Sequence, residues 1–189
     1  NLNYKRIIND HGTINQHAVD LVSQISNIRN GKFLSDTEYE PINFCTGVAG
    51  YPEKHFEAPN FDTDLHYLKK KVEMGAGYIV TQLFFDNQKY IDFVNRCRAV
   101  GINVPIIPGI KPVSIKKHLS TLPNIFHIDL PQALVLEINK CKNNKQVRAL
   151  GIEWSIQQCK ALLKFGVPVL HFYSMGKTDN IYKIAKELF

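Results

Sequence analysis

At 189 residues and 21.6 kDa, the chain has material for about one domain. Hydrophobic residues make up 44% and charged residues 21%, so it can bury a core, and ordinary counts of Gly (11) and Pro (9) exclude collagen-like and low-complexity sequence. The net charge of +6 suits anionic ligands. The densest basic cluster, Lys69–Lys71, stands among apolar residues at helical spacing and not in a tail or an arm, so no nucleic-acid partner is expected.

No apolar run reaches the roughly 18 residues of a membrane span. Asn1–Arg6 is followed by no apolar stretch, so no secretory signal is expected. Cys45, Cys97, Cys141 and Cys159 form no CxxC pair and have no His at zinc-finger spacing, so no metal site is expected. Cys45, in an apolar strand, and Cys97 and Cys159, on helix faces, read as small buried hydrophobes of a reducing compartment.

In chain order, Ala18, Leu21, Val22 and Ile25 fall at i, i+3, i+4 and i+7, a helix closed by Gly31. Ser35–Pro41 is a polar loop. Asn43–Gly50 reads as a strand that includes Cys45, followed by the breaker pair Tyr51-Pro52. Asp64–Gly75 is a helix with Leu65, Leu68 and Val72 on one face. Tyr78–Phe85 is β-branched and aromatic, a buried strand. Asn87 is the expected cap of a helix with Tyr90, Phe93, Val94 and Cys97 inward, ending at Gly101. Val104–Ile107 is a short strand running into Pro108-Gly109, which by itself reads as a turn. Ser114 is the expected cap of a short helix to about Leu122, and Pro131 suits the first turn of another. Asn144–Phe165 is a long helix with Val147, Leu150, Trp154 and Leu162 toward the core. Gly166–Tyr173 is a last strand and Asn180–Leu188 a last helix.

Three times, at Gly75, Gly101 and Gly166, a helix ends at Gly and a strand follows within a few residues. Strands of near-continuous apolar character alternating with helices point to a parallel α/β sheet. No GxGxxG follows the first strand, which weakens a dinucleotide-binding open sheet. A (β/α)8 barrel needs eight strands and about 250 residues, and the count here is four. The expected fold is therefore one domain over residues 1–189, the C-terminal four β/α units of a (β/α)8 barrel lacking its N-terminal half, with a small open sheet as the alternative.

Sites in such folds lie at the carboxyl ends of strands. There the sequence places Tyr51–Pro59, then Thr81, Gln82 and Asp86, then Pro108–Pro112, then His171, Tyr173, Ser174, Gly176 and Lys177. An amide such as Gln82 within an apolar strand is costly unless bonded, which favours a ligand role. His55 alone reads as a solvated loop histidine, and Asp64 as a partner of a helix N-terminus. No Ser-His-Asp, Cys-His or paired-carboxylate set can be assembled.

Five blocks sharpen this: Ala49–Ala58 (AGYPEKHFEA), Lys69–Ala76, Thr81–Asp86 (TQLFFD), Ile106–Pro112 and His171–Ser174. In this order and spacing the chain, from about Ala18 onward, resembles the methylenetetrahydrofolate reductase family. The resemblance implies a (β/α)8 barrel with FAD at the carboxyl ends of its strands. It implies NADH or NADPH reducing the flavin, and 5,10-methylenetetrahydrofolate then accepting hydride to give 5-methyltetrahydrofolate, in a ping-pong scheme. By motif position Tyr51, His55, Ala58, Asp64, Lys70 and Lys71 resemble the FAD-binding residues, and Gln82 the glutamine that holds the pterin. Lys177 stands where some members carry an arginine for the folate glutamate carboxylate. His118 and Leu122 stand where bacterial members often have a glutamine and an aromatic residue near the substrate.

The family's catalytic glutamate, on the first strand, and its Arg-Gly-Asp segment, after the fourth, have no match here. No catalytic residue is therefore expected in this segment, which alone should not turn over. The resemblance further implies the bacterial, reductase-only form, a cytoplasmic location, a homo-oligomer and an N-terminal half-barrel as partner. The alternative is a non-catalytic half-barrel that binds a nucleotide or another anion.

Overall fold

In the computed structural model, residues 15–32, 39–176 and 178–189 are described. The expectations for Asn1–Arg6, for most of the Ser35–Pro41 loop and for Lys177 lie outside them. The elements are α1 (Ala18–Arg29), β1 (Thr46–Gly50), α2 (Phe61–Glu73), β2 (Ala76–Leu83), α3 (Asn87–Ala99), β3 (Ile106–Ile110), α4 (His118–Phe126), α5 (Gln132–Lys140), α6 (Asn144–Phe165), β4 (His171–Phe172) and α7 (Asp179–Leu188).

The four strands form one parallel sheet in the order β1-β2-β3-β4, each crossing to the next through helix. This is half of a (β/α)8 barrel. At the three expected helix-to-strand joints, Gly75, Gly101 and Gly166 have φ of +116°, +86° and +99°. A residue with a Cβ resists that region, so glycine lets each helix end and the next segment turn back.

One sheet face packs against helices. Ile79 (0% exposed), Ile106 (3%) and Ile110 (0%) meet Leu65, Leu68, Phe93, Cys97, Cys159 and Leu162 there. Each such aliphatic or aromatic side chain contributes about 1.5–3 kcal/mol by leaving water. Tyr90 is buried in this layer, stacked on Phe84, and its hydroxyl donates to Ile106 O at 2.7 Å. A second cluster of Leu83, Phe85, Val113, Leu122, Leu134 and Val147 closes the carboxyl end of the sheet under α4–α6.

The other sheet face is open. Gly47, Ala49 and His171 are exposed, and Tyr78, Val80, Gln82 and Ile107 only half-buried. These residues alternate with the buried set and form the inward layer of a barrel wall.

Several expectations need correction. Cys45 is exposed, because pairing begins only at Thr46↔Ala76 and Cys45 precedes it; Cys97 and Cys159 are buried as expected. The cap of α3 is Asp86, whose carboxylate accepts from Gln88 N–H at 2.9 Å, and not Asn87. Helix α2 starts three residues before Asp64, because Asn60 Oδ1 accepts from Thr63 N–H at 2.8 Å. Pro108-Gly109 is not a turn but lies within β3, where the missing proline N–H is tolerated at a register shift. Helix α4 begins after Lys117, not at Ser114, and runs through Pro123. The last strand has only two residues, since pairing is confined to Gly109↔His171 and Ile110↔Phe172.

Candidate functional site

The β1–α2 loop is built by local hydrogen bonds. Lys54 N–H donates to Tyr51 O and Ala58 N–H to His55 O, both at 3.0 Å, which folds residues 51–58 into two consecutive turns. Lys54 takes a φ of +74°, an uncommon conformation for a side-chain-bearing residue. Its ammonium offsets that cost by donating to His55 O at 2.9 Å and to Ala58 O. His55 N–H donates to Asp64 Oδ2 at 2.9 Å, pinning the loop to the first turn of α2. Glu53 anchors its outer side. One carboxylate oxygen accepts from Lys89 Nζ at 2.6 Å and from Asp129 N–H at 2.9 Å.

The loop frames a hollow of about 430 Å³, whose wall includes Tyr51, His55, Glu57, Ala58, Asp64 and Lys71, with the N-terminal turn of α1 opposite. The Tyr51 and His55 rings meet edge-on with centroids 4.5 Å apart. Lys71 Nζ donates to Ala49 O at 3.2 Å, so the cation sits at the carboxyl end of β1. Burial pushes its pKa below the usual lysine value, partly countered by Asp64. Burial, then the Asp64 and Glu57 carboxylates, raise the Tyr51 phenol.

Five of the six residues put forward for a flavin nucleotide thus face one hollow. Lys70 does not. One position earlier on α2, it is exposed, its ammonium 5.5 Å from the Tyr67 ring centroid. A helix turns about 100° per residue, so adjacent lysines cannot both face the loop.

Gln82 lies on the open face of β2, with its Oε1 accepting from Leu83 N–H at 2.9 Å. Among the described residues its Nε2 has no partner. Beside it, Tyr173 reaches across the strand ends, its hydroxyl donating to Thr81 O at 2.9 Å. This crossing needs Gly109, where a Cβ would come within 2.6 Å of the Tyr173 ring. His118 sits farther along the rim, in a second cavity of about 680 Å³ between the β3–α4 and β4–α7 loops. Its Nδ1 accepts from Ser114 N–H at 3.2 Å, which leaves the ring proton on Nε2. Burial, and then Lys111, lower its pKa. Leu122 lines the same cavity.

Some residues of this rim were not legible in the sequence as site residues. The Lys54 clasp and the Glu53–Lys89–Asp129 latch depend on partners that only folding brings close. Arg148, on the wall of the second cavity, gave no signal beyond being basic, and Lys111 was read only as part of the Pro108–Pro112 segment.

A family model for methylenetetrahydrofolate reductase matches residues 4–189. The chain belongs to that family. It is 37% identical over 150 residues to the 5,10-methylenetetrahydrofolate reductase of Salmonella typhimurium, covering 79% of this chain and 51% of that protein. It is 38% identical over 181 residues to methylenetetrahydrofolate reductase (NADH) 1 of Arabidopsis thaliana, covering 90% of this chain and 29% of that protein. The chain therefore spans about half the length of this bacterial relative and less than a third of the plant one. Among solved structures it resembles an uncharacterized protein from Clostridium thermocellum, described as binding two copies of 5-methyl-5,6,7,8-tetrahydrofolic acid. The TM-score is 0.53 at 20% identity, over 87% of this chain and 57% of that one, a likeness of fold. Among the described residues no helix is long and apolar enough to cross a membrane, and no group of His, Cys, Asp or Glu is arranged to hold a metal ion.

Proposed function

We propose that this chain is the C-terminal half of the catalytic barrel of a flavin-dependent methylenetetrahydrofolate reductase, which reduces 5,10-methylenetetrahydrofolate to 5-methyltetrahydrofolate with NADH or NADPH. The observation that carries the reading is the convergence of Tyr51, His55, Ala58, Asp64 and Lys71 on one hollow at the carboxyl end of a β-strand, in a member of this family.

The residues fit a flavin nucleotide. Lys71 is a half-buried cation whose single acceptor among the described residues is a neutral carbonyl, which leaves donor capacity for a phosphate oxygen. Asp64 spends only Oδ2 on His55 N–H, which leaves Oδ1 for a ribose hydroxyl. Tyr51 and His55 present ring edges and faces to a heterocycle. Bound FAD supplies the hydride relay between nicotinamide and folate. The chain's own residues bind, orient and exclude water. Gln82 offers an amide donor and acceptor for the amide-like edge of a pterin, and His118 an Nε2–H donor at the substrate side of the rim.

No acid for protonating the methylene bridge is assigned within this chain. We place it on the half-barrel that covers the open face of β1–β4, where a layer of Tyr78, Val80 and Ile107 is left half in water. Purified full-length protein tests the reading. It should carry flavin absorbance and form 5-methyltetrahydrofolate from methylenetetrahydrofolate and reduced nicotinamide, while residues 1–189 alone should not. A colourless protein that cannot be reconstituted with FAD overturns it.

A further inference from the structure

Strand β2 carries one extra residue where it passes β3. Val80 pairs with Ile107 and Leu83 with Gly109, so Thr81 and Gln82 stand opposite Pro108 alone. Two residues against one make a β-bulge, which bends its strand and re-aims the side chains there. Pro108 has no N–H, so the β2–β3 ladder also lacks a donor at this point.

Thr81 supplies the missing links. It is 0% exposed and, among the described strand residues, the one fully buried polar side chain. Its Oγ1 accepts from Gly109 N–H at 3.0 Å, the first β3 donor after the proline. Its carbonyl accepts from the Tyr173 hydroxyl at 2.9 Å. One residue thus ties β2 both to β3 and to the segment after β4. Gly109 permits the approach, since a Cβ there would stand 2.3 Å from Thr81 O. A valine has the same shape and suits an apolar strand. It would leave the Gly109 N–H buried and unbonded, so the hydroxyl is what this position requires.

The next residue is Gln82, half-buried on the open face. Its Oε1 accepts from Leu83 N–H at 2.9 Å, the amide folded back on the residue that follows it. This bond fixes the direction of Nε2, and it depends on the backbone path through the bulge. Thr81 lies on the opposite, helix-covered face of the sheet, so it cannot touch what Gln82 meets.

We infer that Thr81 is a positioning residue: its hydroxyl pins the β2 bulge to β3 and thereby aims the Gln82 amide into the barrel. The inference rests on the reductase reading for the ligand that Gln82 meets, though not for the hold on Gln82 itself.

The test uses full-length protein as wild type, Thr81→Val, Thr81→Ser, Gln82→Ala and the double variant Thr81→Val/Gln82→Ala, each titrated with tetrahydrofolate. Thr81→Val should weaken binding by about two- to tenfold, the net worth of one hydrogen bond. Thr81→Ser, which keeps the hydroxyl, should recover most of the loss, and FAD affinity should not change in either. The double variant should bind as Gln82→Ala does, because Thr81 acts through Gln82. A purely structural role would instead lower the melting point and leave folate affinity unchanged. Unchanged affinity in Thr81→Val, no recovery in Thr81→Ser, or losses that add in the double variant overturn the proposal. If the wild type binds no tetrahydrofolate, the reductase reading fails separately, and the Gln82 side-chain amide signals of nitrogen-labelled protein decide the hold. Signals that move in Thr81→Val and return in Thr81→Ser uphold it; signals unmoved in Thr81→Val overturn it.

Discussion

Replacing Lys71 by methionine should separate flavin affinity from folding stability. The two side chains have similar length and flexibility, so the change removes a charge and three donors with little change in packing. In the apoprotein, the ammonium's one hydrogen bond among the described residues is to Ala49 O at 3.2 Å, worth about 1 kcal/mol net. Against this stands the burial that lowers the Lys71 pKa, so the charged form is less favoured folded than unfolded. Removing the charge relieves that cost. The two effects oppose, and apoprotein stability should stay within about 1 kcal/mol of wild type, a melting shift of about 2–4 °C or less. With flavin bound there is no such compensation. A charge-assisted bond to a phosphate oxygen contributes about 1.5–3 kcal/mol, so FAD should dissociate about ten- to 150-fold more readily. Quenching of flavin fluorescence on titration of full-length apoprotein measures the affinity, and calorimetric melting of the same apoprotein measures the stability. An FAD affinity within threefold of wild type would refute the placement of Lys71 at the phosphates. A melting point lowered by 10 °C or more, beyond the scale of roughly 2–4 °C per kcal/mol, would make Lys71 a structural residue instead.

Two further outcomes are expected. Tyr90→Phe removes a buried hydroxyl that donates to Ile106 O at 2.7 Å; the loss should cost about 1–2 kcal/mol, seen in urea as a midpoint lower by about 0.5–1 M at unchanged slope. An unchanged midpoint would mean that the bond is worth nothing net. His118 titrates at a lower pH folded than unfolded, so between its folded pKa and the unfolded value of about 6.5 the unfolded chain binds more protons. Stability therefore rises with pH through this window and is lost on acidification below about 6.5. His118→Gln, whose amide oxygen can still accept from Ser114 N–H, should flatten this part of the profile. Identical wild-type and variant slopes between pH 5 and 7 would refute it.

How far the sequence could be read depended on the range of the forces involved. Helix α6, Asn144–Phe165, was legible to the residue, because its Gly166 stop is a local signal; the structure adds the Asn143 cap. The strands were overextended at both ends of the sheet. Apolar character runs through Asn43–Cys45 and Gly166–Leu170, but pairing begins only at Thr46↔Ala76 and at Gly109↔His171. Pro108-Gly109 read locally as a turn, and only the presence of β2 alongside made it a strand. The AGYPEKHFEA and Lys69–Ala76 blocks supplied most of the candidate flavin residues, yet the sequence could not separate Lys70 from Lys71. That choice belongs to the phase of α2 against the loop that Asp64 and Lys54 hold in place.

The order of secondary structure, the parallel class of the sheet and the family were thus written in the chain itself, since each rests on spacing along it. Which side chains share a wall was decided only by folding. Lys111 and Arg148 stand 37 positions apart in sequence, and each alone is an ordinary basic residue. They come to share one wall because α6 is allowed within backbone contact of the segment after β3.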